Sequence, residues 1–238
     1  MCGYLRRHIG PKDLKEFLKL IGMPQLDLPF SEDGLAQHFY PAWGAVPEKQ
    51  IKGLIVLEDG RAKVVDATWW YACDELGDTL RPNMAKQTLN ARKLHLDIWQ
   101  EPLRHRRGIA IATAIGEAIG PKGKEKRFFV EGERPILLGC LYNRFQNGKY
   151  SCAVITRNAH PRFMDYHDDA FPLMLPHDPN FLKLWLSDTP PDDPAIAELL
   201  KQPKIFTDLT VTPVKTYKDA VPRGEPVLVH ADEWEMTS

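Results

Sequence analysis

Short apolar runs separated by turn residues dominate the hydrophobic pattern of the chain. The Glu58-Asp59-Gly60-Arg61 segment is a turn signal between two such runs and predicts a hairpin. Asn147-Gly148 predicts a second tight turn. The pattern predicts strands over residues 51–57, 62–65, 67–73, 109–119, 127–130, 136–141, 150–156 and 205–214.

Helical periodicity is confined to a few short segments. Leu14, Phe17, Leu18 and Ile21 recur at the spacing of one helix face. Helices are predicted over residues 11–21, 94–103, 179–186 and 194–200. Many short strands with few helices between them indicate an α+β, mainly antiparallel β fold. We expect one domain over 1–220 and a C-terminal tail over 221–238.

Composition places the chain among ordinary globular proteins. Of its 238 residues, 43% are apolar and 26% are charged. No apolar run reaches the ~20 residues of a membrane-spanning helix, and the start lacks the apolar core of a secretory signal. No glycine-rich nucleotide motif and no C-x-x-C pair occurs, which predicts no organic cofactor and no metal. We therefore expect a cytoplasmic, monomeric protein without a membrane partner.

The net charge of −1 conceals two oppositely charged blocks. Residues 81–127 hold eleven Lys/Arg against four Asp/Glu, a local charge of +7. Residues 165–238 hold six Lys/Arg against fourteen Asp/Glu, a local charge of −8. These blocks are either two differently solvated faces or, in the sharper interpretation, a cationic groove for an anionic polymer.

Cys2 is a candidate nucleophile because of its position. Initiator methionine is usually removed before a small residue such as Cys, which would leave an N-terminal cysteine. Its amine and thiol then lie on adjacent carbons, and both ionise within about two pH units of neutrality. Such an aminothiol condenses with an aldehyde through an imine that the thiolate closes to a thiazolidine. The alternative is that Cys at position 2 is accidental.

Three other polar residues stand in unusual surroundings. Asn90 follows an apolar residue in Thr88-Leu89-Asn90-Ala91-Arg92. Glu117 is an acid within a strand of Ile, Ala and Gly, where burial is costly unless the group is paired or functional. His167 stands beside two carboxylates in His167-Asp168-Asp169. Their ordinary explanations are a loop amide, a solvent-facing strand end and a turn-capping histidine.

Four motifs in the same order resemble those of the SRAP (SOS-response-associated peptidase) family. They are the Met-Cys-Gly start, Asn90-Ala91-Arg92, the strand from Arg107 to Ala118 that carries Glu117, and the segment 156–161 followed by Tyr166-His167. The resemblance spans roughly residues 2–176. It implies a barrel-like SRAP fold with peripheral helices, and protection and processing of abasic sites in single-stranded DNA.

The resemblance also implies roles for the four polar residues. Cys2 would bond to the C1′ aldehyde of the opened abasic sugar, Asn90 would orient it, and Glu117 would shuttle protons. His167 would act on the sugar hydroxyl and support lyase chemistry. Expected DNA contacts are phosphate binding by Arg92, Arg104, Arg106 and Arg107, and base stacking on Trp43 and Trp70. The alternative for the tryptophans is that they belong to the core.

Several family positions are different in this chain. Tyr4 replaces the usual arginine, and the strand before Glu117 has lost its aromatic residues. The His-x-Arg-Met-Pro motif is one residue longer here and lacks its arginine, as His167-Asp168-Asp169-Ala170-Phe171-Pro172. The chain therefore resembles a divergent member of the family with the proposed catalytic quartet intact.

Two other functions fit parts of the sequence. An N-terminal Cys also opens glutamine amidotransferases, although the Arg and Asn-Gly/Asp-Gly set that would hold glutamine cannot be placed. A SRAP-like module that binds DNA or protein without covalent chemistry would explain the lost arginines and aromatics. Release of ammonia from glutamine would identify the amidotransferase. A function that survives substitution of Cys2 would identify the binding module.

Overall fold

A strand-rich mixed sheet forms the centre of the protein. The computed structural model describes residues 3–29, 35–121 and 123–234. The strands are β1 Leu5–Arg7, β2 Gln37–Phe39, β3 Gln50–Glu58, β4 Arg61–Thr68, β5 Cys73–Leu76, β6 Thr79–Pro82, β7 Asn90–Ala91, β8 Arg107–Ile119, β9 Lys126–Arg144, β10 Tyr150–Arg157, β11 Phe171–Pro172, β12 Met174–Leu175, β13 Leu209–Val214 and β14 Val227–Val229. The helices are α1 Pro11–Leu20, α2 Asp97–His105, α3 Pro179–Leu186 and α4 Pro194–Lys201, with a 3₁₀ helix at Pro161–Phe163.

Five strands close into a ring in the order β9, β10, β4, β3 and β8, with β8 returning to β9. The β8–β9 and β9–β10 pairs are long and antiparallel. The closing contacts are short: β10 meets β4 in parallel at two residue pairs, and β3 meets β8 at Ile55 and Ile109. The ring is therefore barrel-like rather than a true barrel, which confirms the predicted fold class.

Both faces of the ring are buried, which explains the continuous apolar runs in β8 and β10. Ala110 and Ala112 of β8 belong to a cluster that fills the ring, whereas Ile109 and Ile111 belong to a cluster with the helices. The helices thus cover the outer face. Burial on two faces removes the polar alternation that marks a half-exposed strand.

The segment predicted as two strands over 127–130 and 136–141 is one long strand, β9. In β8 the partner of Ala112 is Ile136, but the partner of Ala114 is Glu131. Residues 132–135 therefore form a bulge opposite β8. Pro135 is tolerated there because a bulged residue needs no ladder hydrogen bond from its nitrogen.

The aromatic segment 67–73 is not the predicted strand. β4 ends at Thr68, and the indole nitrogens of Trp69 and Trp70 donate to the carbonyls of Leu89 and Asn83. These contacts fix the loop before β7 against the ring. The helices α1, α3 and α4 are found near their predicted positions, whereas α2 begins three residues later than predicted, at Asp97.

Part of the segment predicted as a tail contacts the domain. β14 pairs with β13, the NH of Asp232 donates to the carbonyl of Ile205 at 2.8 Å, and Trp234 packs against Phe181 and Phe206. No helix in the described ranges is long and apolar enough to cross a membrane.

Candidate active site

Glu117 lies near the end of β8, opposite Phe128 of β9. Its side chain is 1% exposed, so the carboxyl group is enclosed by protein. The prediction that this acid faces inward is confirmed, and the solvent-facing alternative is wrong. A buried acid is costly unless a partner stabilises it.

His167 is a partner of Glu117. Its Nδ1 lies 3.0 Å from Oε2 of Glu117, and the histidine side chain is only 8% exposed. The backbone NH of His167 donates to the carbonyl of Phe163 at 2.9 Å, so the 3₁₀ helix Pro161–Phe163 fixes the start of this loop. The structure thus brings together two residues that are 50 positions apart in sequence.

The beginning of the described chain runs beside Glu117. The NH of Gly116 donates to the carbonyl of Tyr4 at 3.0 Å, and β1 continues this antiparallel pairing at Leu5 and Ile115. Only Gly3 separates Tyr4 from Cys2 in the sequence. Cys2 itself, together with Met1, lies outside the described residues.

Tyr217 closes this corner of the site. Its ring stacks on Tyr4 with centroids 5.1 Å apart, and its hydroxyl donates to the backbone carbonyl of Glu117 at 2.9 Å. A Cβ atom at position 116 would lie 2.8 Å from the Tyr217 ring. Glycine is therefore required at position 116 for this packing.

Asn90 begins β7 and Arg92 follows its end, and this strand pairs in parallel with β10 at Val154 and Ile155. The Arg92 guanidinium donates to Oδ2 of Asp169 at 2.5 Å and to its backbone carbonyl at 2.7 Å. This pair lowers the pKa of the Asp169 carboxyl. Because Asp169 is two residues after His167, the contact ties the β7 end to the His167 loop.

The comparisons with known proteins agree with this arrangement. Residues 1–219 match the family model described as SOS response associated peptidase (SRAP). The chain belongs to the SRAP family. Membership supports an SOS-associated, DNA-related function. No curated protein matches the chain significantly.

Solved structures show the same fold at low sequence identity. A protein from Bacteroides thetaiotaomicron is 16% identical with a TM-score of 0.60, over 90% of this chain and 93% of that one. A protein from Bordetella bronchiseptica is 18% identical with a TM-score of 0.63, over 90% of this chain and all of that one. A phage-related protein from the same organism is 18% identical with a TM-score of 0.61, over 93% and 100%.

The basic segment 104–107 of this SRAP protein has some side chains at the surface and others in the core. Arg104 is exposed on α2, and Arg106 pairs with Glu101 and donates to the carbonyl of Tyr142. Arg107 is 2% exposed and donates to four backbone carbonyls, those of Leu103, Trp185, Ser187 and Thr189. Burial lowers its pKa to about 10. Its expected role as a DNA contact is corrected, because its donors are used inside the protein.

The two tryptophans proposed for base stacking differ in their exposure to solvent. Trp43 is 46% exposed and meets Trp70 edge-on with ring centroids 4.8 Å apart. Trp70 is fully buried. Trp43 therefore offers a face to a base, whereas the expectation for Trp70 is corrected because no face of its ring reaches the surface.

Sequence reasoning missed Asp169 and Tyr217. The contact of Asp169 with Arg92 joins residues 77 positions apart and left no local signal in the sequence. Tyr217 lies beyond the recognised motifs, and nothing in its neighbourhood marks it. Within the described residues, no group of three or more His, Cys, Asp or Glu is arranged to hold a metal ion.

Proposed function

We propose that this SRAP protein forms a covalent thiazolidine adduct with the ring-opened abasic sugar in single-stranded DNA. The nucleophile is Cys2 after removal of Met1. The observation that carries the proposal is the buried contact between His167 and Glu117, at the point where the chain arrives from position 2. Family membership supports processing of abasic sites in general.

The chemistry needs no cofactor. The α-amine of Cys2 adds to the C1′ aldehyde to form a hemiaminal, which loses water to give an imine. The thiolate then attacks the imine carbon, the nitrogen takes a proton, and the five-membered ring closes. One water leaves in the whole sequence, so the adduct has the mass of protein plus DNA minus water.

Glu117 is the proton carrier in this account. Loss of water from the hemiaminal requires a proton on the departing oxygen, and ring closure requires a proton on the nitrogen. A carboxyl group held at the reacting atoms is suited to both transfers because it can give a proton in one step and regain one in another. The contact of His167 with Oε2 supports a role in holding the Glu117 carboxyl group, and in this account His167 also engages the hydroxyl released by furanose opening.

Asn90 would orient the opened sugar, and Arg92 would contact the adjoining phosphate. Because Arg92 is already paired with Asp169, it contributes less to DNA affinity than a free arginine would. In this account other cations on the surface bind most of the phosphates. Imine chemistry at this site would also allow strand cleavage. We place the protein in the cytoplasm, bound to damaged nucleoid DNA, as a monomer.

Intact mass after denaturation tests the proposal. The protein is mixed with a single-stranded oligonucleotide that contains one abasic site, beside an undamaged oligonucleotide and the Cys2→Ala variant. We expect a species at the mass of des-Met protein plus DNA minus one water, absent from both controls. Free des-Met protein alone would contradict covalent chemistry and favour the non-covalent binding module.

A further inference from the structure

Tyr217 contacts two parts of the chain that the proposed reaction must bring together. Its ring stacks on Tyr4, near the start of the described chain, and its hydroxyl donates to the backbone carbonyl of Glu117, near the end of β8. The chemistry proposed above assigns no role to Tyr217.

Tyr4 is held on several sides by aromatic rings. It is fully buried, the rings of Tyr40 and Phe129 lie 5.3 and 6.5 Å from its own, and its hydroxyl lies 2.7 Å from Nδ1 of His38. Burial raises the pKa of the Tyr4 hydroxyl above its ordinary value, so this group stays protonated at neutral pH. Of these rings, that of Tyr217 is the closest and the most nearly parallel, at 5.1 Å and 20°. Tyr217 therefore makes the main stacking contact with Tyr4.

The Tyr217 ring also lies against the strand that carries Glu117. The NH of Gly116 donates to the carbonyl of Tyr4 at 3.0 Å, and a Cβ atom at position 116 would lie 2.8–2.9 Å from three atoms of the Tyr217 ring. The ring thus packs against both members of this hydrogen-bonded pair. Its hydroxyl fixes the carbonyl of the next residue, Glu117.

The loop that carries Tyr217 is closed by its own hydrogen bonds. The NH of Ala220 donates to the carbonyl of Thr216 at 3.2 Å, and Val214 at the end of β13 forms a β-bridge with Pro222. Tyr217 lies between these contacts. Its side chain therefore projects from a defined turn rather than from a loose segment.

We propose that Tyr217 is a positioning residue for adduct formation. Its ring holds Tyr4 and its hydroxyl holds the backbone at Glu117, so one side chain sets the N-terminal segment relative to the proton carrier. A chain spans at most about 3.6 Å per residue, so anchoring Tyr4 limits where Cys2 can reach. The inference rests on the proposed function, because it concerns the same reaction. In this account Tyr217 acts through Tyr4 and Glu117 and does not touch the sugar.

The limiting rate of adduct formation tests this role. Single-turnover crosslinking of the full-length protein to single-stranded abasic DNA is measured over a range of DNA concentrations. The data give the limiting rate at saturating DNA and the DNA concentration at half that rate. Misplacement of the reacting groups lowers the limiting rate, whereas weaker DNA binding raises the half-saturating concentration.

Two variants separate the ring of Tyr217 from its hydroxyl. Tyr217→Leu removes both, and Tyr217→Phe restores the ring alone. Tyr150→Leu is the matched control, at another half-buried tyrosine, whose hydroxyl donates to Oε1 of Glu58 at 2.6 Å and whose ring contacts Tyr142. Circular dichroism verifies that each variant is folded, and rates are measured well below the lowest melting temperature.

We expect Tyr217→Leu to lower the limiting rate about tenfold or more, because a small misplacement of reacting groups is costly. Its half-saturating DNA concentration should change less than about twofold, since no DNA contact is removed. Tyr217→Phe should recover most of the rate, and Tyr150→Leu should react like the wild type. A wild-type limiting rate in Tyr217→Leu, or equal losses in Tyr217→Leu and Tyr150→Leu, would overturn the inference.

A substitution on β8 tests the same contact from the other side. Gly116→Ala places a methyl group against the Tyr217 ring, so it should slow the reaction of the otherwise wild-type protein. In the Tyr217→Leu background the ring is absent, and Gly116→Ala should have little further effect. Losses that simply multiply in the double variant would show that the two positions act independently, which contradicts the inference.

The two proposals fail in distinguishable ways. An adduct that forms equally fast in the wild type and in Tyr217→Leu overturns the positioning role and leaves the proposed function standing. Absence of any adduct from the des-Met wild-type protein contradicts the proposed function, and the role of Tyr217 in that reaction with it.

Discussion

Nδ1 of His167 lies 3.0 Å from Oε2 of Glu117, and both side chains are enclosed by protein. Removing either side chain would deprive its buried partner of this contact, which costs about 1–3 kcal/mol for a buried polar group. The pair therefore depends on the loop that carries His167 staying against β8. What fixes that loop is as important to the proposed chemistry as the two residues themselves.

Asp232 is predicted to stabilise the His167 loop from the C-terminal segment. Its carboxylate contacts His160 and Arg162 and accepts from the NH of Ile205 at 2.7 Å. Asp232→Ala should raise amide exchange across residues 160–170 and lower the free energy of unfolding by about 1–3 kcal/mol. Hydrogen exchange with mass spectrometry measures the first effect.

Asp208→Ala is the matched control for Asp232. Asp208 accepts from the NH of Ala231 in the same segment and pairs with His230, and Arg162 acts on it only through its charge. We expect exchange near His167 to stay unchanged in this variant. If both variants loosen residues 160–170 equally, Asp232 does not act through His160 and Arg162.

Arg107 is predicted to stabilise the protein rather than bind DNA. Arg107→Lys cannot reach the carbonyls of Leu103, Trp185, Ser187 and Thr189 together. We expect a loss of about 3–5 kcal/mol in the free energy of unfolding, measured with urea. Arg104→Lys, on the exposed face of α2, should change it by less than about 0.5 kcal/mol. If Arg107→Lys lowers the free energy of unfolding no more than Arg104→Lys does, the buried hydrogen bonds of Arg107 do not stabilise the protein.

Trp43 is predicted to contribute to DNA binding through its exposed face. Trp43→Ala should weaken single-stranded DNA binding by about 1–2 kcal/mol, as expected for one stacked base. Leu20→Ala, an exposed apolar residue on α1, is the control and should have no effect. Anisotropy with an undamaged oligonucleotide measures both, and unchanged affinity of Trp43→Ala would exclude base stacking at this position.

Acid is predicted to destabilise the protein through His177. Burial lowers its pKa below the ordinary histidine value, and its Nε2 contacts the carbonyl of Pro135 at 2.8 Å. The unfolded chain then binds the proton more readily than the folded chain, so stability rises with pH across this window and is lost below about pH 6.5. His177→Gln should flatten the decline in melting temperature between about pH 7 and 5. The control variant His95→Gln, at an exposed histidine, should leave this decline unchanged. A wild-type melting temperature that does not fall between about pH 7 and 5 would contradict the prediction.

The sequence was a good guide to the strands and to the chemistry of single residues. Apolar runs located β3, β8 and β10, because burial on both faces requires apolar side chains at every position. The oddity of Glu117 in such a run singled it out before the structure showed it buried beside His167. The motif order then assigned the fold class, which the ring confirms.

Contacts between distant segments were beyond sequence reasoning. The bulge at 132–135 depends on how β8 registers with β9, so the two strands predicted over 127–130 and 136–141 are one strand. The burial of Arg107 depends on α3 ending beside it, and the pairing of Arg92 with Asp169 depends on the β7 position. Such contacts are set by tertiary packing, which local patterns do not encode.

The rate of adduct formation in Glu117 and His167 variants tests the central claim most directly. Single-turnover crosslinking to abasic single-stranded DNA is followed for wild type, Glu117→Gln, His167→Asn and the double variant, each shown to be folded. We predict that Glu117→Gln slows the reaction about 100-fold or more, as loss of a general acid–base does. The double variant should be little slower than Glu117→Gln alone, because the two residues act as a unit. Crosslinking by Glu117→Gln at the wild-type rate would contradict the account.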